Sequence, residues 1–136
     1  MGAWATTTFG NDRAGDWTVE LQSQEDLSFV EQTLDEVLAI GDDYLDSCEA
    51  SAGLAACEVL ARLKGKWGVR DGDSRHADEW VEAHPQKPGK DLLAKSIAVI
   101  DRVLAEPSEM LELWAEGDEF EQWRDGVADL RSRLCG

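Results

Sequence analysis

The stretch ASAGLAACEVLARLKG, residues 50–65, decides the fold. Leu54, Ala55, Ala56, Cys57, Val59, Leu60, Ala61 and Leu63 place apolar side chains on nearly every side of one helix. A helix without a wet face belongs at the centre of a domain, wrapped by others. The pattern predicts this helix from about Cys48 to Lys64, with Gly65 as its stop, because glycine takes the left-handed turn without strain. Glu58 is the one acid in the apolar run. It is read as a structural buried acid that accepts hydrogen bonds from an indole N–H or from the backbone of the N-terminal segment. The competing reading is a general acid whose pKa burial raises. A lone acid with no partner chemistry in sequence favours the structural role.

Outward from this helix, periodicity of three and four recurs in both directions. Before it, Asn11 or Asp12 caps a first helix whose inner face carries Ala14, Trp17 and Leu21. Ser28 and Glu31 form the pattern of a capping box, and Val30, Leu34, Val37 and Leu38 follow as a buried stripe that Gly41 ends. The N-terminal segment, with Trp4 and Phe9, reads as an extended lead-in that plugs both rings into the core. After the central helix, residues 66–77 read as the main loop, followed by a short helix over Asp78–His84. Pro85 and Pro88 break the chain. Leu93, Ile97, Ile100 and Leu104 mark a strong helix over Asp91–Ala105. Ser108 caps a short helix with Met110, Leu113 and Trp114, and Phe120, Trp123, Val127, Leu130 and Leu134 form the seam of the last one. No stretch alternates at period two for long enough to predict a strand with any length. The expected architecture is all-α: one domain over residues 1–136, a compact bundle of about five to seven helices with an extended N-terminal lead-in.

Charge narrows the function classes. The chain carries 13 Lys and Arg against 29 Asp and Glu, a net charge of −16 with a pI near 4.3. Such a surface repels phosphate backbones and anionic lipid, so neither nucleic acid nor membrane is an expected partner. It attracts a basic protein and speeds that encounter. Three cysteines at 48, 57 and 135 make no paired framework, which fits a reduced, cytoplasmic setting. No apolar run reaches the ~20 residues of a membrane span, and the opening residues lack the basic and apolar regions of a secretory leader. Met1-Gly2 with Thr6 fits a myristoylation signal in form only, because no basic cluster follows it.

Candidate sites were weighed by the chemistry they require. His76 and His84 with Asp71, Asp73, Asp78 and Glu79 have the wrong spacing for a cage. Arg75 stands where a calcium loop needs oxygen, and His76 to Glu79 reverses the order used in di-iron bundles. No metal and no cofactor is therefore expected. No nucleophile motif and no phosphate-cradling glycine loop is present, so no catalytic residue is named. The acidic runs stand out. Glu109, Glu112 and Glu116 share one helical face at i, i+3 and i+7, with Asp42, Asp43 and Asp46 as a second patch. Like charges so spaced repel by a few tenths of a kcal/mol per pair (order of magnitude ~0.3). The plain reading is a solvated face; the sharper one is a docking face.

The opening Met1-Gly2-Ala3-Trp4, then Phe9, Asn11-Asp12, Ala14 and Asp16-Trp17, resembles a bacterial family, domain of unknown function 4259, whose members begin MGAWG-x-G-x-F-x-ND-x-A-x-DW. The likeness continues through Asp42-Asp43-Tyr44-Leu45, Ala55-Ala56-Cys57-Glu58-Val59 and Glu112-Leu113-Trp114, over essentially the whole chain. Ala5 and Thr7 stand where the family tends to have glycine. The resemblance implies a bacterial, cytoplasmic helical domain and carries no activity with it.

Three functions are expected to compete. The first is a small acidic, non-catalytic binding protein, an immunity or antitoxin-like inhibitor of a basic partner, with Glu109, Glu112, Glu116, Asp42, Asp43 and Asp46 as the contact residues. The second is a small-ligand binder or hydrolytic enzyme with a pocket near Glu58, Trp4 and Trp17. A regulatory or scaffold domain that self-associates as a homo-oligomer is a third.

Overall fold

The computed structural model describes residues 7–135. Trp4 and the rest of the lead-in before Thr7 lie outside the described residues. Seven helices follow in order: α1 Asp12–Leu21, α2 Ser28–Ala39, α3 Ser47–Leu63, α4 Arg75–Ala83, α5 Lys90–Val103, α6 Glu109–Ala115 and α7 Phe120–Cys135. Among the described residues there is no strand, only one isolated bridge between Leu45 and Ser108. No described helix is long and apolar enough to cross a membrane.

Helix α3 is the axis. Every residue from Ala50 to Leu63 is buried, and α3 meets each of the other six helices. Its small side chains are the cause. Ala50, Ala52, Gly53, Ala55, Ala56 and Ala61 leave room for neighbours to approach on all sides. At Gly53 the neighbours are Val37 of α2 and Val99 of α5. A Cβ built there would lie 2.9 Å from one valine methyl carbon and 3.1 Å from the other. Leu54, Val59, Leu60 and Leu63 fill the remaining space, each worth about 1.5–3 kcal/mol relative to exposure.

Local sequence sets most helix ends. Asn11 Oδ1 accepts from Ala14 N at 3.0 Å, Asp46 Oδ1 from Glu49 N at 2.8 Å, and Ser108 Oγ from Leu111 N at 3.4 Å. Gly41 and Gly65 take φ of 61° and 85° just past α2 and α3. Two expectations are corrected. The capping box at Ser28 does not form. Ser28 is already the first helical residue, and Asp26 Oδ1 accepts its N–H at 3.0 Å. Helix α4 begins at Arg75 rather than Asp78, because Ser74 and Asp71 close a turn on one another just before it.

The links on one side of the bundle are tied together. Leu45 N donates to Pro107 O at 3.2 Å, and Glu109 N donates to Leu45 O at 2.8 Å. Arg102 of α5 reaches across both links, donating to the carbonyls of Gly41, Asp43, Ala105 and Pro107. The α2–α3 and α5–α6 links therefore lie side by side.

Candidate functional site

The acidic residues separated in sequence meet at these links. Glu109 Oε1 accepts from Ser47 N at 2.8 Å, and Glu112 Oε1 accepts from the Tyr44 hydroxyl at 3.0 Å. The patch on α6 and the patch before α3 are one surface. Within it the acids divide by task. Asp46, Glu109 and Glu112 hold local structure: Asp46 caps α3, Glu109 satisfies an orphan amide at the same helix start, and Glu112 fixes Tyr44. Asp42, Asp43 and Glu116 are exposed, and among the described residues no Lys or Arg pairs with their carboxylates. Tyr44 sits within this surface, half exposed at 51%. Its hydroxyl pKa is pushed up to about 12, first by loss of water around it, then by Glu112 and Glu109. Glu49 is also raised, by burial first and then by Asp46 and Glu36. Loss of water is the larger cause of both shifts, and the neighbouring carboxylates add to it.

The second assembly centres on Glu58. The indole or backbone partner expected for it is not what it has. Arg62, one turn on, pairs with Glu58 Oε1. Arg133 of α7 forks onto the same carboxylate, Nη1 to Oε1 at 3.0 Å and Nη2 to Oε2 at 2.8 Å. The Thr8 hydroxyl is 3.5 Å from Oε2. Arg62 also donates from Nε to Asp78 Oδ1 at 2.7 Å, and from Nη2 to Val69 O. Asp78 Oδ2 in turn accepts from Ser74 Oγ at 2.7 Å. The guanidinium carbon of Arg62 lies 5.3 Å from the Phe9 ring centroid and 5.7 Å from that of Trp67. Buried charges persist only when paired and hydrogen-bonded in this way. The network ties α3, α4, α7 and the loop between α3 and α4.

This network forms the floor of a cleft of about 250 Å³. Leu54, Met110, Trp114, Trp123 and Val127 supply its apolar wall, and Thr8, Asn11, Asp71, Asp129 and Arg133 its polar one. The Trp114 and Trp123 rings stack at 6.0 Å with an interplanar angle of 10°. Trp17, expected beside Glu58, is elsewhere. It is buried against Phe29 at 5.1 Å, and its Nε1 donates to Thr33 Oγ1 at 2.9 Å. Of the N-terminal motif, Phe9 is buried under Arg62, Asn11 caps α1 and Asp12 is exposed.

Sequence reading missed Arg62, Asp78 and Arg133. The spacing Glu58-x-x-x-Arg62 was a usable signal, since residues four apart share a helical face. On an otherwise apolar helix, that pair cannot both reach water. Asp78 and Arg133 gave no such sign, because their partners are 16 and 75 residues away.

A family model described as "Domain of unknown function (DUF4259)" matches residues 2–126. No curated protein and no solved structure matches the chain.

Proposed function

We propose that this chain, which belongs to the DUF4259 family, is a non-catalytic acidic binding protein that docks a basic protein, in the manner of an immunity or antitoxin-like inhibitor. One observation carries the reading. Asp42, Asp43 and Glu116 stand exposed, their carboxylates in no ion pair among the described residues while Arg102 is spent on the backbone carbonyls of Gly41 and Asp43, on a surface whose backbone is locked by the Leu45–Pro107 and Glu109–Leu45 hydrogen bonds. A preorganised surface loses little entropy on docking. Unpaired carboxylates on it offer fork-shaped acceptors to Arg and point acceptors to Lys. The half-exposed Tyr44 adds an aromatic anchor of the kind that carries binding energy at interfaces.

The division of labour among the acids makes the reading testable without unfolding the protein. Charge reversal at Asp42, Asp43 and Glu116 leaves the capping carboxylates Asp46, Glu109 and Glu112 in place. Basic proteins captured from the native host on the immobilised chain should elute as ionic strength rises from about 0.1 to 0.5 M, where the Debye length falls below about 5 Å. For such a partner the D42K/D43K/E116K variant should associate at least ~10-fold more slowly at low salt, with unchanged helicity. Association indifferent to both salt and these three charges defeats the proposal.

A further inference from the structure

Residues 40–46 join α2 to α3, and residues 104–108 join α5 to α6. Two backbone hydrogen bonds cross from the first link towards the second, Leu45 N to Pro107 O and Glu109 N to Leu45 O, and Leu45 makes both. The part of the first link that carries Asp42, Asp43 and Tyr44 is held by a side chain instead. Arg102, in the last turn of α5, donates from Nε to Gly41 O at 2.8 Å and from Nη2 to Asp43 O. It also donates from Nη1 to Ala105 O and from Nη2 to Pro107 O, both at 2.9 Å. Each link thus gives two oxygens to one guanidinium. Four acceptors need four donors. A guanidinium has five, fixed in one plane and pointing apart, whereas a lysine ammonium has three at a single point. From Asp43 the guanidinium takes the carbonyl oxygen, while the carboxylate stays outside any ion pair among the described residues. The cation therefore fixes backbone and leaves the acidic side chain available. Tyr44 follows directly, and its hydroxyl reaches Glu112 Oε1 of α6 at 3.0 Å. That reach across the two links requires them to stay in register.

We infer that Arg102 is the positioning residue of the docking face: its guanidinium holds the Gly41–Tyr44 backbone against the α5–α6 link, so that a partner meets a preset shape. Its bearing on docking rests on the function proposed above; its setting of the shape does not. A surface ordered before contact loses less entropy when a partner arrives.

The test uses the full chain without any partner, as the parent, R102M and R102K. Water can take the place of the guanidinium on these carbonyls, which lie near the surface. Helicity and the slow amide exchange of α3 should therefore match the parent in both variants. Exchange of the Leu45 and Glu109 amides should quicken at least ~10-fold. The phenolate midpoint of Tyr44 should fall from about 12 toward the ordinary ~10 in both variants, as the hydroxyl leaves Glu112. The direction separates position from charge. On charge alone, R102M would raise the midpoint, because the phenolate loses a favourable neighbour, and R102K would not lower it. The inference is overturned by a midpoint that rises in R102M or stays near 12 in R102K, or by unchanged exchange at Leu45 and Glu109. Loss of α3 protection in both variants also overturns it, since Arg102 would then hold the bundle rather than one face. These readings involve no partner, so they stand or fall apart from the salt and charge-reversal test of docking itself.

Discussion

Replacing Arg62 by Met removes a guanidinium that is almost wholly buried, 1% exposed along its side chain, and leaves the methylene stem's volume filled. Breaking a buried pair from one side costs about 3–5 kcal/mol, because the other charge is left without compensation. Two features place R62M at the lower end. Glu58 keeps the forked contact from Arg133. Asp78 keeps the Ser74 hydroxyl at 2.7 Å and a longer contact to Arg70, whose Nε is 3.6 Å away on an exposed side chain. The residual cost is the weakly paired Asp78 plus the lost tether to Val69 O, together about 3 kcal/mol. For a chain of 136 residues the unfolding entropy near 60 °C is about 0.3 kcal/mol/K, so the melting temperature should fall by about 10 °C. Circular dichroism on heating and urea titration both read this. The mechanism also fixes the double variant. If an orphaned carboxylate is the main cost, Asp78→Asn in the R62M background should recover about 1 kcal/mol, whereas Asp78→Asn alone should destabilise. An R62M cost under about 1 kcal/mol, or strictly additive effects of the two changes, would show that the network does not act as a coupled unit.

Three further outcomes follow from the same geometry. Gly53→Ala inserts a methyl 2.9 Å from a Val37 methyl carbon and 3.1 Å from one of Val99. The overpacking of about 1–3 kcal/mol outweighs the ~1 kcal/mol gain in helix propensity, so urea midpoints should fall. Tyr44 is the single tyrosine of the chain, so phenolate absorbance near 295 nm reads one residue. Its midpoint should lie near 12 and return toward the ordinary ~10 in E112Q. Since the folded protein holds this proton more tightly than the unfolded chain, the associated stability is whole below about pH 10 and is lost as pH rises through the folded value. Cys57 is fully buried, its thiol pKa pushed up by burial and then by Glu58, while Cys48 and Cys135 are exposed. A thiol reagent should titrate two cysteines in the native protein and the third only on unfolding; fast reaction of all three would contradict the sheathed α3.

The sequence alone determined which helix would be central. An α3 built of alanine, glycine and cysteine between leucines and valines has no face suited to water, so hydrophobic burial admits only an interior position. It also determined most helix ends, because Asn11, Ser108, Gly41 and Gly65 act on backbone groups within a few residues; Asp46, which caps α3 at Ser47, reads in sequence only as part of an acidic patch. Where a rival local bond existed the reading failed, as at Ser28, whose amide Asp26 takes first, and at Ser74, which starts α4 early. The negative charge was legible, but its arrangement was not. Only the tertiary structure joined Glu109 and Glu112 to the Tyr44–Ser47 link, and so separated acids that hold the fold from acids that face solvent. Likewise Glu58 was visible as a buried acid, while its principal partner Arg133 lies 75 residues on. Local hydrogen bonds and periodic burial act over a few residues and are written in the string. Ion pairs between distant helices depend on how those helices cross, which is settled only when the whole core packs.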